Sequence, residues 1–198
     1  MANQIGIYSG TFDPIHIGHI AFAKQSAREL KLNSVVFLPE QQPRGKQRVT
    51  DIHHRIELIK LATQNDNELQ ILSLPSKQFT IAKTLPELQS HFPNTTFTLL
   101  IGSDIVHTFI YRWDGLETLL KDVAFAVGIR TNDKRDELEA IFTQLETQYG
   151  TTITRSFIET ENAHITSSQF RENDTITSRL PHPAINQYIK ENNLYNKR

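Results

Sequence analysis

The chain has 198 residues, 38% of them hydrophobic, with no cysteine and a formal net charge of −1. The lack of cysteine excludes disulfides, thiolate nucleophiles and thiolate metal ligands. The balanced charge gives no field that would attract nucleic acid, and no apolar run approaches the ~20 residues that span a bilayer, so neither partner is expected. With no secretory pattern at the N-terminus, these features predict a cytoplasmic globular protein.

Segments typical of strands and helices alternate along the chain, as judged by apolar spacing and turn signals. In chain order the predicted elements are strand 4–8, helix 19–30, strand 34–39, helix 50–62, strand 69–74, helix 79–92, strand 96–102, short helix 116–120, strand 123–129, helix 133–149, strand 151–157 and helix 183–195. This alternation predicts an α/β, Rossmann-like fold: a doubly wound parallel sheet with flanking helices. We expect one domain over residues 1–198, with a C-terminal helical part at about 163–198 packed on it.

The topology also predicts where a ligand would bind. In such sheets a ligand lies beyond the carboxyl ends of the strands, at the point where the strand order reverses. With the common order 3-2-1-4-5, this point lies between the first and fourth strands. The polar segments there are SGTFDPIHIGH (9–19) and GSD (102–104). The sequence therefore predicts a ligand site built from these two segments.

The first of these segments holds more polar groups than a turn requires. Gly10 has no Cβ, so a phosphate can approach its backbone, and a helix beginning near Ile17 directs free N–H groups to the same place. His16 and His19, three residues apart, can face that site together, while Gly18 permits the close passage of a ligand. The segment is therefore suited to an oligophosphate, although the P-loop spacing GxxxxGK[ST] is absent.

Two other interpretations of the same residues stay open. A histidine is in most cases a surface or packed residue rather than a ligand contact. Asp13, His16 and His19 are also a possible set of metal ligands. A metallohydrolase would further need a water-activating group and supporting partners, which the sequence does not clearly supply, so no metal site is predicted.

Two motifs carry a resemblance to a known superfamily. GTFDPIHIGH (10–19) resembles the first signature of the nucleotidylyltransferases, and ITSSQFR (165–171) resembles their second motif, ISSTxIR. Within the superfamily the chain is similar, over nearly its whole length, to the bacterial nicotinate-nucleotide adenylyltransferases. The other matching segments are LPEQQPRGK, HHRIELIKLA, FTIAKTL, LLIGSD and LPHPAINQYIKENNLY.

The resemblance implies an enzyme of NAD biosynthesis. Members of this family transfer AMP from ATP to nicotinate mononucleotide, giving nicotinate adenine dinucleotide and pyrophosphate. The mononucleotide phosphate attacks the α-phosphorus in line, and because it is already anionic no protein base is needed. Mg²⁺ would be carried by ATP, and homo-oligomers are common in the family. The alternatives are a nicotinamide-mononucleotide adenylyltransferase and a nucleotide-binding regulator without catalytic activity.

The resemblance also implies roles for particular residues. Those surrounding the phosphates would be His16, His19, Lys46 and Arg171. Those contacting ATP would be Gly10, Thr11, Phe12, Gly18, Gly102, Asp104, Ile165, Ser167 and Ser168. Among these, Asp104 would accept hydrogen bonds from ribose hydroxyls. Those contacting the mononucleotide would be Phe79, Thr80, Tyr111 and Trp113.

The chain departs from the family pattern where the pyridine ring would bind. The family's Ser-Tyr-Thr is Gln-Phe-Thr here, which removes a hydroxyl at Phe79. The tryptophan that the family places after GxD aligns with an offset, so either Trp113 or Tyr111 would stack on the ring. We expect the nicotinate carboxylate to be held by backbone N–H groups near Phe79 and Thr80.

Overall fold

A parallel sheet of six strands forms the centre of the protein. The computed structural model describes residues 3–130, 133–160, 165–172 and 180–195. The strands are β1 (Asn3–Gly10), β2 (Ser34–Pro39), β3 (Leu69–Ile71), β4 (Thr95–Gly102), β5 (Ala124–Ile129) and β6 (Arg155–Glu159). Their order is β3-β2-β1-β4-β5-β6, and all neighbouring pairs are parallel. The predicted α/β class and the order 3-2-1-4-5 are confirmed, with β6 added at one edge.

Helices connect and cover the strands. They are α1 (Ile17–Leu30), α2 (Ile52–Thr63), α3 (Ile81–His91), α4 (Ser103–Thr108), α5 (Leu116–Asp122), α6 (Arg135–Tyr149), α7 (Ser167–Glu172) and α8 (Pro183–Glu191), with a short 3-10 helix, Phe109–Tyr111, after α4. Parallel neighbours need such crossover connections, since a tight hairpin can join only antiparallel strands. Among the helices that the structure describes, none combines the length and the apolar character needed to cross a membrane.

Both faces of the sheet are buried, and the strand residues alternate between them. Ile7 and Leu38 belong to the apolar cluster on the face covered by α3 to α6. Phe37 and Leu100 belong to the cluster on the other face, covered by α1, α2 and α8. Because successive side chains of a strand point to opposite faces, each apolar residue enters one of two cores. The predicted doubly wound arrangement is confirmed.

Two strands differ from the prediction in length or position. β3 ends at Ile71 rather than at residue 74, because it is an edge strand whose last partner on β2 is Phe37. β6 begins at Arg155 rather than at residue 151. Gly150 ends α6 with a left-handed φ of 59°, and Ile153 then enters the core, so the chain uses residues 151–154 to return to the sheet.

Three helices also differ from the prediction. Helix α8 ends at Glu191 rather than at residue 195. Helix α4 was not predicted, because its six residues are too few to show a helical period. Helix α3 begins at Ile81 rather than at residue 79 and contains Pro86 within it. Pro86 lacks the N–H that would bond the carbonyl four residues earlier, so the helix continues with one hydrogen bond fewer.

The C-terminal segment packs against α2. Ile185 of α8 is fully buried, and the hydroxyl of Tyr188 lies 2.9 Å from Nδ1 of His54. Residues 165–172 also belong to the predicted C-terminal part, whereas residues 163, 164, 173–179 and 196–198 lie outside the described residues. The assignment of all 198 residues to one domain stays a prediction.

Candidate active site

Two adjoining cavities open at the carboxyl ends of β1, β4 and β5. Cavity A, of about 350 Å³, lies between the start of α1, the end of β5 and α7. Cavity B, of about 600 Å³, lies between the β1–α1 loop, the segment after β2, Phe79 and Trp113. Their shared wall is formed by Tyr8, His19, Lys46, Gly102, Arg130 and Ser167. Both cavities lie where the reversal of strand order predicted a ligand site.

Two imidazoles meet at the start of α1. His16 is 4% exposed, and its ring stacks on that of His19 with 3.7 Å between the centroids. The backbone N–H of His16 donates to Nδ1 of His19 over 3.2 Å. Because this Nδ1 is an acceptor, the ring proton of a neutral His19 is on Nε2, where it can be donated to a ligand.

Both imidazoles are neutral at pH 7. Burial, followed by the charge of Arg130, lowers the pKa of His16 to about 3. Burial also lowers the pKa of His19 well below its usual value, and the neighbouring His16, Lys46 and Arg130 lower it further. A neutral imidazole donates a hydrogen bond without adding positive charge. The positive charge at the shared wall therefore comes from Lys46 and Arg130.

Aromatic side chains support His19 from the side of the sheet. The ring of Phe12, which is 2% exposed, packs edge-on against His19 at 5.1 Å and against Tyr8 at 5.2 Å. Phe12 has a φ of 50°, a conformation that a non-glycine residue keeps only where its surroundings hold it. Gly10 allows this packing, since a Cβ there would lie 3.0 Å from the Phe12 ring. The loop is thus shaped to fix the ring of His19 at the shared wall.

A fully buried arginine joins the loops that border the cavities. Arg55 of α2 donates from Nη1 to the carbonyl of Thr11 over 2.7 Å and to that of Glu40 over 2.8 Å. Its Nε donates to the carbonyl of Thr50 over 2.8 Å, and Nη2 donates to that of Gln41 over 3.3 Å. These carbonyls belong to the β1–α1 loop, the segment after β2 and the start of α2. Arg55 therefore fixes the relative positions of three segments, a role not predicted from the sequence.

A cation not identified from the sequence lies in the shared wall. Arg130 follows β5 directly, its side chain is 51% exposed, and its Nη2 lies 3.5 Å from Oδ1 of Asp104. Asp104 lies in the first turn of α4, after Gly102, where any Cβ would collide with its carboxylate. The strand-order rule that selected the ends of β1 and β4 applies equally to the end of β5, so this rule was a signal for Arg130.

Helix α7 closes cavity A against the β1–α1 loop. The hydroxyl of Ser167 donates to the carbonyl of Pro14 over 3.0 Å. The ring of Phe170 lies nearly parallel to that of His16, with 5.9 Å between the centroids. These two contacts join the two motifs of the sequence, which lie about 150 positions apart in the chain.

The predicted ATP contacts are divided between the two cavities. Cavity A is lined by Gly18, Gly102, Ile165, Ser167 and Ser168. Cavity B is lined by Gly10, Thr11, Phe12, Gly102, Asp104 and Ser167. The backbone of Arg171 lies in α7, while its side chain lies outside the described part of the structure. The structure brings these positions to one crevice, and their contacts with ATP stay predictions.

The peptide of Phe79 already has partners in cavity B. Its N–H donates to Oε1 of Glu40 over 3.1 Å, and its carbonyl accepts from Nη2 of Arg44 over 3.1 Å. The N–H of Thr80 donates to Oγ1 of Thr84 over 3.0 Å, at the start of α3. The expectation that these two N–H groups hold a carboxylate is therefore corrected, because both bond within the chain. The guanidinium of Arg44, which also lines cavity B, is a group that can bind a carboxylate.

One of the two aromatic residues predicted to stack on a pyridine ring lines a cavity. Trp113 lines cavity B and packs edge-on against Phe109 at 5.2 Å. Tyr111 is 77% exposed and lines neither cavity. Phe79 also lines cavity B, whereas Thr80 lines neither. The structure thus brings Trp113 to the site and directs Tyr111 to solvent.

The chain is similar to known proteins over almost its whole length. A family model described as cytidylyltransferase-like matches residues 7–173. A protein of Bacillus anthracis, named as a probable nicotinate-nucleotide adenylyltransferase, is 30% identical, with 97% of this chain and 98% of that protein covered. The protein of the same name from Flavobacterium psychrophilum is also 30% identical, with 98% of this chain and all 100% of that protein covered.

Solved structures show the same fold. The nicotinic acid mononucleotide adenylyltransferase of Plasmodium falciparum, solved in complex with NaAD, has a TM-score of 0.78 at 24% identity, with 98% of this chain and 97% of that chain covered. The same protein in complex with APC has a TM-score of 0.77 at 23% identity, with the same shares covered. At these identities the likeness establishes the architecture of the sheet and its flanking helices.

Proposed function

The chain belongs to the cytidylyltransferase-like family, among the nicotinate-nucleotide adenylyltransferases, and we propose that it transfers AMP from ATP to nicotinate mononucleotide. The products would be nicotinate adenine dinucleotide and pyrophosphate. We propose that the reaction takes place in the cytoplasm. The observation that carries the proposal is the wall shared by cavities A and B, where a neutral imidazole meets two cations. One nucleotide in each cavity would bring the reacting phosphates to that wall.

The proposed reaction exchanges one phosphorus–oxygen bond for another. An oxygen of the mononucleotide phosphate bonds to the α-phosphorus of ATP, while the bond from that phosphorus to the oxygen bridging the α- and β-phosphates breaks. Pyrophosphate leaves with the bridging oxygen, and no proton has to move because the attacking phosphate is already ionised. Catalysis therefore depends on positioning and on the stabilisation of negative charge.

The histidines fit this chemistry as neutral donors. Nε2–H of His19, at the shared wall, would donate to a phosphate oxygen that gains charge in the transition state. Because its pKa is lowered, His19 enters the reaction without first losing a proton at pH 7. The ring of His16, stacked on that of His19, would hold it in place from cavity A.

Lys46 and Arg130 would supply the positive charge. Both side chains line both cavities, and a charge-assisted hydrogen bond contributes about 1.5–3 kcal/mol. The carboxylate of Asp104, 3.5 Å from the Arg130 guanidinium, would orient that guanidinium along the shared wall. It would also accept a hydrogen bond from a ribose hydroxyl. Arg171 is the further cation that the family resemblance implies. Mg²⁺ would arrive as MgATP, bound mainly to phosphate oxygens and water, since it keeps much of its hydration.

Cavity B contains groups with opposite preferences for the substituent of the pyridine ring. The guanidinium of Arg44 would attract the carboxylate of nicotinate mononucleotide, whereas the carboxylate of Glu40 would accept from the amide of nicotinamide mononucleotide. Oε1 of Glu40 already accepts from the N–H of Phe79 and lies 3.4 Å from the hydroxyl of Ser9. Arg44 bonds a neutral carbonyl, so we favour the acid. The amide, supported by Glu40, is the second candidate.

Pyrophosphate release from MgATP, measured with each mononucleotide separately, tests the proposal. We expect kcat/KM to be at least about tenfold higher with nicotinate mononucleotide, since ~1.4 kcal/mol is one decade and one charge-assisted contact exceeds it. A preference for nicotinamide mononucleotide would establish the second candidate. ATP binding without pyrophosphate release in the presence of either mononucleotide would contradict the proposal and indicate a regulator.

A further inference from the structure

The C-terminal segment contacts the β1–α1 loop, which carries His16 and leads into the first turn of α1, where His19 lies. The hydroxyl of Tyr195 donates to Oδ1 of Asp13 over 2.7 Å, across 182 positions of the sequence. Asp13 is 3% exposed, and its Oδ2 accepts from the N–H of Thr50 over 3.3 Å. A buried carboxylate needs such donors, because its oxygens have lost their water. Asp13 thus joins the β1–α1 loop, the start of α2 and the C-terminal segment.

Tyr195 makes this contact from an uncommon backbone conformation. Its φ is 61°, in the left-handed region that non-glycine residues rarely adopt. The turn before it is closed by the N–H of Leu194, which donates to the carbonyl of Ile189 over 3.0 Å. Leu194 and Tyr195 both pack against the apolar cluster beneath α1 and α2. Such conformations persist where the surroundings hold them, so packing places the hydroxyl at Asp13.

The loop that Asp13 holds is the one that positions the imidazoles. Asp13 lies between Phe12, whose ring packs against His19, and His16, whose N–H orients His19. A displacement of Asp13 would therefore move both supports of His19 together. Misplacing a reacting or catalytic group by ~1 Å can lower a rate by ~10²-fold.

We propose that Tyr195 is a positioning residue for the imidazoles of the site, acting through Asp13. Tyr195 lines neither cavity, so it acts on the geometry of the loop and not on a substrate. Its hydroxyl sets the place of the Asp13 carboxylate, and that carboxylate sets the place of the loop. The inference rests on the proposed function only in the experiment that measures turnover, and not in the one that measures hydrogen exchange.

The chain offers a matched control for a role that is merely structural. Tyr188 belongs to the same C-terminal segment, and its hydroxyl lies 2.9 Å from Nδ1 of His54 on α2. Removing this hydroxyl weakens the packing of the C-terminal segment on α2 by one hydrogen bond. The Tyr188 hydroxyl does not contact Asp13 or the β1–α1 loop. The two variants therefore remove the same chemical group, but only Tyr195→Phe removes a contact with that loop.

The kinetic experiment compares Tyr195→Phe with Tyr188→Phe in the full chain. We expect both variants to melt at a lower temperature, while kcat falls at least about tenfold only in Tyr195→Phe. The KM for the mononucleotide should change by less than about threefold, because binding contacts are retained. Wild-type kcat in folded Tyr195→Phe, or an equal loss in both variants, would overturn the proposal.

A second measurement needs neither turnover nor a variant that folds. Hydrogen exchange of residues 192–195 in the wild-type chain is compared with and without a non-hydrolysable MgATP analogue. If the loop and the C-terminal segment are coupled, nucleotide binding slows exchange there, since coupling is reciprocal. Unchanged exchange under saturating nucleotide would overturn the inference. Slowed exchange in a chain that releases no pyrophosphate would retain it and refute only the proposed function.

Discussion

Burial determines what the imidazole of His19 can do. Its lowered pKa keeps it neutral at pH 7, and its Nδ1 accepts from the backbone of His16, so Nε2–H is the group left to donate. A donor fixed in this way stabilises charge as it develops, with no reorganisation at the moment of reaction. The same ring on an open surface would be free to rotate and to titrate.

We expect His19→Ala to lower kcat by ~10²–10³-fold, the usual effect of removing one positioned donor. The KM for the mononucleotide should change little, because the lost contact forms mainly in the transition state. Steady-state pyrophosphate release measures both. His53→Ala, which removes an imidazole 89% exposed on α2, is the control. Turnover of folded His19→Ala within about threefold of wild type would show that another group stabilises the charge.

Arg44 gives a second prediction for a single residue. We expect Arg44→Ala to lower kcat/KM for nicotinate mononucleotide at least about tenfold, because a charge-assisted contact is lost. The value for nicotinamide mononucleotide should change by less than about threefold, since the amide carries no charge. Arg48→Ala removes an exposed arginine of the same segment that lines neither cavity. Equal losses with both substrates would mean that Arg44 acts on the loop rather than on the ring substituent.

At the scale of elements, α2 holds two loops through one side chain. Arg55 is fully buried, and its guanidinium donates to four main-chain carbonyls. Burial lowers its pKa, while the nearby carboxylate of Asp13 raises it. A substitute without donors would leave buried carbonyls unpaired on three different segments. The rigidity of the crevice therefore depends on a residue that lines neither cavity.

We expect Arg55→Met to lower the free energy of unfolding by about 3–5 kcal/mol, because several buried carbonyls lose their donor at about 1–3 kcal/mol each. Urea denaturation measures the change. Arg55→Lys should not restore stability, because an ammonium group cannot reach acceptors on three segments at once. Arg28→Met, on the exposed face of α1, should change stability by less than about 0.5 kcal/mol. A similarly small effect at Arg55 would show that other contacts hold the loops.

The elements illustrate what one sequence can reveal. Alternating strand and helix patterns are local properties, so they predicted the parallel sheet, whereas its order was taken as the common one for this fold. The end of β3 depends on its pairing with Phe37 of β2, and the start of β6 depends on how the chain leaves Gly150. Neither is encoded locally. Helix α4 was missed because six residues do not complete two turns.

At the scale of the whole molecule, two imidazoles make stability depend on pH. The pKa of His16 is lowered from 6.5 to about 3, and that of His19 is lowered as well. Below pH 6.5 the unfolded chain therefore binds protons that the folded chain does not. Their stabilising contribution is complete above pH 6.5. It declines as the pH falls, and the slope for each histidine approaches about 1.4 kcal/mol per pH unit once the unfolded imidazole is fully protonated.

We expect urea denaturation between pH 6.5 and pH 5 to show this decline. His16→Asn should reduce the slope of unfolding free energy against pH by about 1 kcal/mol per unit, averaged over this interval, because one of the two groups is removed. His53→Asn, which changes an exposed imidazole, should keep the wild-type slope. An unchanged slope in His16→Asn would mean that the folded chain binds a proton at His16.

The site shows where prediction from one sequence stops. The place of the crevice follows from topology, and the histidines follow from a local motif. The contact of Tyr195 with Asp13 joins positions 182 apart, so it depends on how the C-terminal segment packs. The bond from Phe79 to Glu40 likewise depends on the path of two loops. No spacing in the sequence encodes either contact, because each arises from tertiary structure.

The wall common to cavities A and B has a kinetic consequence for the product. A dinucleotide with one half in each cavity blocks both substrates at once, as a bisubstrate analogue does, and it gains the effective concentration of linked ligands. We expect it to inhibit competitively against ATP and also against the mononucleotide in initial-rate measurements. If the two substrates bind in random order, competition with one substrate alone would mean that the halves do not occupy both cavities together. Where both halves of the dinucleotide are held, its departure, rather than bond exchange, would govern turnover, and accumulated product would restrain its own synthesis.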